Sequence, residues 1–365
     1  MSDDEADPEL LALLRQSLGI KTHDPELPPE TGVLEGAEHV YNQAIDVALD
    51  TQATKAAAQA IYEMMQRKSY STKTWAEHEL HPKEKDESTV NFIFTMDLLN
   101  FSFWSERTPE ERFAIEYKGR KWTGYWSLVA ALQRALDEGI PITSPTFWRN
   151  EGECSIKVLR HVFRSATEED IPLFDERVAC LREAGQVLCE HFDSRFSTCI
   201  TQAQQSAAGL VNLLATNFSC FRDAFRFEGK RVHIYKRAQI LVADLWACFN
   251  GTSYGTFNDI DKITMFADYR IPQMLQSFDC LRYSPPLEMH IRHLKPLESG
   301  HPWEIQLRCC SIWSVELLRR EIIRTHPGTH VNAILIDFFL YDTMKEREAA
   351  GLEGLPHHRT RSIWY

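Results

Sequence analysis

The chain lacks the short motifs that mark several common enzyme classes. None of its nine cysteines forms a Cys-x-x-Cys pair, which excludes a zinc ribbon or a redox dithiol of that type. It has no glycine-rich phosphate loop, no Gly-x-Ser-x-Gly elbow and no dinucleotide-binding fingerprint. Its apolar runs stay well short of the roughly 20 residues that cross a bilayer. We therefore expect neither a cofactor nor a membrane partner.

A basic excess is lacking as well. Lys and Arg number 40 against 52 Asp and Glu, a formal net charge of −12. Because nucleic-acid backbones are bound through basic faces, we expect no stable nucleic-acid binding. Half of this charge lies in residues 1–30, where eight carboxylates outnumber Arg15 and Lys21. The remainder is only mildly acidic, which permits a small anionic ligand.

The acidic segment also sets the predicted domain organisation. Residues 1–31 carry four prolines and are predicted to be a flexible tail, in which the leucines of 10–18 could form a short amphipathic helix. Residues 32–365 are predicted to form one domain. The first residues are acidic where a secretory signal would be basic, and scattered cysteines are typical of a reducing compartment. The expected location is the cytoplasm, with the nucleus as an alternative.

Helical periodicity dominates the predicted domain. The pattern predicts a predominantly all-α fold, a single helical domain with one or two short β-hairpins. One hairpin is predicted at 116–122, with Lys118 and Gly119 at its turn. Asp50 and Thr51 are N-cap candidates for the helix predicted at 53–66. Gly139 is suited to end the helix predicted at 125–138. Helices are predicted at 53–66, 125–138, 172–192, 206–217, 236–249, 260–266, 272–278 and 314–325, with a buried run at 333–340.

Several aspartates interrupt hydrophobic stretches, and each needs a physical reason to be there. An ionised carboxylate taken from water costs several kcal/mol unless it is paired or hydrogen-bonded. Any one of them could cap a helix or pair with a buried arginine, which is at least as common as a functional role. Five in one chain are harder to assign to scaffolding. They are Asp97, Asp244, Asp268, Asp337 and Asp342.

Lys236 and Asp244 fall at a spacing that places both on one helix face. Eight positions at about 100° per residue leave their side chains about 80° apart around the helix and two turns apart along it. They could therefore line one pocket from a single helix. A solvated lysine at a helix start is an equally common alternative.

Asp268 has a different context. It lies between the helix predicted at 260–266 and the next one, whose first turn would hold Pro272. The positive end of the second helix dipole would keep its carboxylate ionised and pointing outward, as a nucleophile or a cation stabiliser requires. The alternative is an ordinary N-terminal helix cap.

Two histidine pairs give weaker signals. His290 and His293 have metal-like spacing, and His357 is followed by His358. Neither pair has a third ligand at a typical spacing, so surface histidines are the better interpretation and no metal site is predicted.

Several long segments, taken together, resemble the queuosine salvage family of N-glycosylases. The resemblance covers about residues 32–365 and includes Phe-Ala-Asp-Tyr-Arg at 266–270 and Tyr-Lys-Arg-Ala-Gln at 235–239. The acidic tail departs from the family pattern. The segments that carry the resemblance are 97–104, 124–128, 135–144, 229–244, 263–273 and 358–365.

The resemblance implies an activity, a fold and two catalytic residues. The activity is hydrolysis of the N-glycosidic bond of queuosine 5′-monophosphate, which releases queuine for reuse in tRNA modification. The implied fold is akin to helix-hairpin-helix DNA glycosylases, in which an essential aspartate stands at a helix start. The family's catalytic aspartate carries over to Asp268 and its lysine to Lys236. Lys236 could bind the 5′-phosphate or hold Asp268 ionised.

The same resemblance suggests how the substrate is bound. One carboxylate should read the guanine-like edge and another should meet the cationic amine of the side chain, with Asp97, Asp244, Asp337 and Asp342 as unranked candidates. Phe101, Trp104, Tyr125 and Trp126 could stack on the base, although each is more often core. Arg359, Arg361 and Tyr365 could close the pocket or simply dock the C-terminus. The other residues implied to contact substrate are His78, Asn100, Phe266, Arg270 and His358.

Two rival interpretations stay open at this point. One is a glycosylase that acts on damaged bases in nucleic acid, against which the acidic charge counts. The other is a non-catalytic helical scaffold that binds partners through the leucine-rich N-terminus.

Overall fold

The computed structural model describes residues 29–71, 75, 78–352 and 354–365. Residues 31–365 form one compact unit. The predicted tail and its short amphipathic helix lie almost wholly outside the described residues. The α-helices of the described part are α1 Val33–Gln43, α2 Thr51–Arg67, α3 Glu87–Leu98, α4 Tyr125–Asp137, α5 Pro145–Arg149, α6 Ile156–Val162, α7 Phe174–His191, α8 Phe196–Gln202, α9 Ala207–Asn217, α10 Lys236–Cys248, α11 Arg270–Ser277, α12 Pro285–Arg292, α13 Pro302–Thr325 and α14 Ala333–Ala349.

Short strands pair two by two between these helices. The predicted hairpin is β2 Ala114–Tyr117 with β3 Arg120–Thr123, and a second hairpin joins β4 Ala224–Phe227 to β5 Lys230–His233. Lys118 and Gly119 have φ of 50° and 74°, the left-handed conformation that a two-residue hairpin turn requires. The mostly helical fold with two short hairpins is therefore confirmed.

A third strand pair joins distant parts of the chain and was not predicted. β1 Val47–Leu49 pairs antiparallel with β6 Leu281–Tyr283. Just before β1, the side chain of Gln306 accepts the backbone N–H groups of Ile45 and Asp46, at 3.1 and 2.9 Å. Strands of three residues carry too little periodicity to be recognised in a sequence.

The centre of the unit is built around two buried helices. The middle of α13 is buried on all sides, and this helix packs against α1 and α2. Helix α10 is buried along most of its length between α3 and α9. Side chains that lie close in the sequence cap the first turns of surrounding helices. At the start of α2, for example, the carboxylate of the predicted N-cap Asp50 accepts the N–H of Ala53 at 2.9 Å.

Several predicted boundaries were wrong. The helix predicted at 260–266 is only a 3₁₀ turn, Ile260–Lys262, followed by non-helical chain. Helix α13 begins at Pro302, three turns before the predicted start, because charged residues break up the apolar pattern of its first half. Helix α7 begins after Pro172, at Phe174. Among the described residues, no helix combines the length and the apolar character needed to span a membrane.

Candidate active site

Asp268 lies at the start of α11, at the position predicted from the sequence. One oxygen of its carboxylate accepts the backbone N–H groups of Arg270 and Ile271, both at 2.8 Å. Burial nevertheless raises the pKa of Asp268, while the charge of Lys236 and these two N–H groups act to lower it. The carboxyl is therefore half-buried with a raised pKa, because burial outweighs the partners that favour its ionised form. The prediction of an outward-pointing carboxylate kept ionised by the helix dipole was wrong in this respect.

The segment 263–267, which leads to Asp268, is held by side chains from elsewhere. The amide oxygen of Gln239 accepts the N–H of Thr264 at 2.9 Å. The carboxylate of Asp337 accepts the N–H of Phe266 at 2.9 Å. Side chains therefore supply the hydrogen bonds that a helix would make internally, which explains how this buried segment stays non-helical.

Lys236 is the first residue of α10 and is buried. Burial lowers the pKa of its ammonium group, whereas the charges of Asp268, Asp97 and Asp337 raise it. Tyr235, directly before it, has the left-handed φ and ψ of 49° and 36°. A residue other than glycine is strained in the left-handed conformation, and backbone strain of this kind is concentrated at functional sites. The ammonium group of Lys236 lies within electrostatic reach of Asp268, Asp97 and Asp337, and its charge also acts on Asp244.

Asp97 is fully buried near the end of α3. One carboxylate oxygen accepts from the side chain of Asn100 at 3.2 Å, and the other has no hydrogen-bond partner among the described residues. Burial raises the pKa of Asp97 to about 7, against the opposing effects of Asn100, Lys236 and Arg237. A carboxyl of this kind exchanges its proton near neutral pH.

Asp244 is buried on α10 two turns after Lys236, and the charge of Lys236 acts to lower its pKa. Burial raises its pKa well above the usual range, and the charge of Asp97 raises it further. The neighbouring phenol of Tyr125 contacts a ring nitrogen of His81 at 2.7 Å and the sulfur of Met96 at 2.9 Å. Asp97 and Asp244 are thus buried together beside Lys236, and half-buried Tyr125 lies next to them.

The two aspartates of α14 have different positions. Asp337 is buried, and burial followed by the charge of Asp268 raises its pKa well above the usual range. Asp342 is exposed and accepts a hydrogen bond of 2.5 Å from the phenol of Tyr70. The structure therefore brings four of the five aspartates around Lys236 and places Asp342 at the periphery.

The aromatic candidates divide into core and rim. Phe101 is fully buried, and its ring centroid lies 4.3 and 4.9 Å from the guanidinium carbons of Arg177 and Arg237. Trp126 stacks on His78 with centroids 3.2 Å apart and an interplanar angle of 13°. Both of these rings are only partly buried, so they have the accessibility that a stacking surface needs.

The C-terminal segment, residues 356–365, packs against the site. The indole N–H of Trp104 donates to Thr360 O at 2.9 Å, and the guanidinium of Arg361 lies 3.7 Å from the indole centroid. His358 contacts the phenol of Tyr365 at 3.3 Å. The ring of Tyr365 lies 6.2 Å from that of Tyr269, which follows Asp268.

The remaining candidates lie near the segment of Asp268. Phe266 is buried two residues before it and packs near Phe338, with centroids 5.9 Å apart. Arg270 forms an ion pair of 3.0 Å with Glu348 of α14. Neither His290 nor His293 belongs to a group of three ligand-type residues, and the described part of the chain holds no such group.

Sequence reasoning missed three buried charges beside the site. Arg308 donates to both carboxylate oxygens of Asp223, at 3.0 and 2.7 Å, and also to Glu304 at 3.3 Å. Like the five aspartates, Glu304 and Arg308 are charged residues that interrupt an apolar run, here that of α13. Their i, i+4 spacing, however, is typical of an ion pair on the surface of a helix, so it did not indicate buried charges.

Comparison with known proteins identifies the family. Residues 80–365 match the family described as queuosine salvage protein. A protein of Schizosaccharomyces pombe named queuosine 5′-phosphate N-glycosylase/hydrolase is 43% identical over 91% of this chain and 99% of its own length. Proteins of the same name from Mus musculus and Sphaerobacter thermophilus are each 39% identical, over 93% and 92% of this chain and 99% and 98% of theirs. The chain therefore belongs to the queuosine salvage protein family.

Proposed function

We propose that this chain hydrolyses the N-glycosidic bond of queuosine 5′-monophosphate and releases queuine for salvage into tRNA modification. The observation that supports this most directly is the group of four carboxylates around one lysine: Asp97, Asp244 and Asp337 are buried, and half-buried Asp268 lies at a helix start. Relatives that match nearly their whole length carry the name of this activity.

The substrate explains why carboxylates are needed. Queuine is a 7-deazaguanine and lacks the N7 that purine glycosylases commonly protonate. More of the barrier must then be lowered by stabilising the positive charge that develops on the sugar as the bond to the base breaks. In our proposal the Asp268 carboxylate performs this task. Water supplies its oxygen to C1′ and a proton to the released base, so the reaction is a net hydrolysis.

In this proposal Lys236 acts on the ionisation of Asp268. Its positive charge lowers the pKa of Asp268 against the effect of burial, so Asp268 is ionised at a lower pH than it otherwise would be. The surrounding carboxylates, Asp97, Asp244 and Asp337, are the proposed partners of the donor groups of the base. His78 and Trp126 are the proposed stacking surface, and the C-terminal segment is the proposed wall of the pocket.

The fold and the ligand class are consistent with this activity. We propose an arrangement akin to helix-hairpin-helix DNA glycosylases, supported by the placement of Asp268 between a non-helical segment and α11. A small nucleotide, rather than a nucleic acid, is the proposed ligand, supported by the net charge of −12. All nine cysteines are free thiols, which supports a reducing compartment such as the cytoplasm.

The deciding experiment measures free queuine by mass spectrometry after incubation with queuosine 5′-monophosphate. We expect release by the wild-type protein and at least a hundredfold slower release by Asp268→Asn, a loss typical of removing one electrostatic stabiliser. Asparagine is also a good helix cap, so the variant should fold. The matched control is Asp261→Asn, which changes an exposed carboxylate nearby and should leave the rate unchanged.

Each failure has a distinct meaning. No queuine from the wild type would overturn the proposed activity. Undiminished release by Asp268→Asn would retain the activity and overturn the assignment of the site. A gel shift with duplex DNA or tRNA tests the nucleic-acid alternative, for which we expect no complex.

A further inference from the structure

Every N–H of the Arg308 guanidinium is used, and each donates to a different acceptor atom. Nε–H donates to the carbonyl oxygen of Ala267 at 2.9 Å. The terminal nitrogens donate to both carboxylate oxygens of Asp223, to Glu304 and, at 3.4 Å, to Trp364 O. An arginine has five such donors in a rigid planar fork. The orientation of this side chain is therefore fixed on all sides.

The first connection reaches the segment of Asp268. Ala267 is the residue directly before Asp268, and its carbonyl oxygen is the acceptor for Arg308. The Asp268 carboxylate is fixed from the other side by two N–H groups of α11. The peptide that carries the proposed catalytic carboxylate is thus held between α13 and α11.

The second connection reaches Lys236. Asp223, which pairs with both terminal nitrogens of Arg308, also accepts the backbone N–H of Lys236 at 3.2 Å. The backbone oxygen of Asp223 accepts from Ile234 and from the strained Tyr235, at 2.9 and 3.1 Å. Asp223 therefore fixes the point at which α10 begins, and with it the position of the lysine.

The third connection reaches the C-terminal segment. The phenol of Tyr365 donates to the Glu304 oxygen that also accepts from Arg308. The Arg308 guanidinium carbon lies 4.6 Å from the centroid of the Tyr365 ring. The same guanidinium therefore holds three parts of the chain: the segment before α11, the start of α10 and residues 356–365.

We infer that Arg308 is a positioning residue that sets the distance between Lys236 and Asp268, and that Tyr365 supports it through Glu304. The inference rests on the proposed roles of Lys236 and Asp268. A buried ion pair is weak evidence for a contribution to stability, because well-packed apolar residues often replace one without loss. Here Arg308 anchors the segments that carry both Lys236 and Asp268. Small displacements of catalytic groups lower the reaction rate, so this anchoring has a function beyond stability.

The predicted signature lies in the rate and its pH dependence. Asp268 is faced by Lys236 of α10, by Arg270 of α11, and by Asp337 and Tyr341 of α14. If Lys236 moves away, its charge no longer favours the ionised form of Asp268. The acid limb of the kcat profile should then move to higher pH, which a purely structural role would not produce.

The test compares three variants of the full chain on queuosine 5′-monophosphate. Arg308→Lys keeps the charge and loses the planar fork, and should lower kcat by about 10- to 100-fold with KM changed less than about threefold. Tyr365→Phe removes one hydrogen bond and should lower kcat by about 3- to 10-fold, with the same shift of the acid limb. Arg319→Lys, a control on the same helix, makes the same change at a partly exposed ion pair with Glu316 and should do neither.

The outcomes separate this inference from the proposed function. A wild-type kcat and acid limb in folded Arg308→Lys, with only a lower melting temperature, would overturn the positioning role. If Arg308→Lys fails to fold, Tyr365→Phe decides in the same way. Asp268→Asn is measured in parallel. If it is active, the site assignment fails; if it is inactive while the other variants are normal, only the positioning role fails.

Discussion

The carboxylate of Asp337 accepts the backbone N–H of Phe266 at 2.9 Å, on the buried segment that leads to Asp268. Asp337→Ala leaves that N–H without its partner, which costs about 1–3 kcal/mol of unfolding free energy. Asp337→Asn keeps a carbonyl oxygen at the same place and should cost less than about 1 kcal/mol. Urea denaturation of both variants measures the difference. Equal losses would show that the hydrogen bond does not hold the segment.

Removing the charge of Lys236 should shift the pH dependence of the reaction. Lys236 lowers the pKa of Asp268, so Lys236→Gln lets burial raise it further. An activity that needs ionised Asp268 then requires a higher pH, and the acid limb of the kcat profile should move to higher pH. The control is Lys121→Gln, which changes an exposed lysine of β3. An unmoved acid limb in Lys236→Gln would contradict the electrostatic role.

Asp97 should make the protein less stable as the pH rises. Its folded pKa of about 7 lies above the value of about 3.9 in unfolded chains, so the native state binds the extra proton between these values. Stability is therefore fullest below about pH 4 for this group and is lost as the pH rises through about 7. Asp97→Asn removes that loss, on the order of 2–4 kcal/mol between pH 4 and pH 8.

Urea midpoints of wild type, Asp97→Asn and the exposed control Asp261→Asn at several pH values check this. The control should follow the wild type. If stability falls with pH as steeply in Asp97→Asn as in the wild type, Asp97 is ionised over the whole pH range measured.

Phe101 and Trp126 should respond differently to substitution. Phe101 is enclosed with Arg177 and Arg237, so Phe101→Leu should cost about 1–2 kcal/mol of stability while KM stays unchanged. Trp126 lies at the rim against His78, so Trp126→Leu should raise KM about tenfold or more, with a smaller loss of stability. Steady-state kinetics and thermal melts on both variants separate core packing from base stacking. A raised KM in Phe101→Leu would reverse the assignment.

What the sequence could predict depended on how local each interaction was. Asp268 could be placed at a helix start because Pro272 and the apolar pattern of α11 lie beside it. The segment before it was wrongly predicted as a helix, because its hydrogen-bond partners Gln239 and Asp337 lie far away in the chain. Arg308 was missed for the same reason. Its partner Asp223 is 85 residues away, and only Glu304 lies within the same helix.

The pairing of β1 with β6 has a consequence for how the chain is made. Val47 of β1 and its partner Tyr283 of β6 are separated by 236 residues. Translation at about 5–20 residues per second leaves an interval on the order of 10–50 s during which β1 has no partner strand. Closing so large a loop also favours slow folding, because its entropic cost precedes the contacts that repay it. The N-terminal helices must therefore stay free of aggregation until more than three quarters of the chain has left the ribosome.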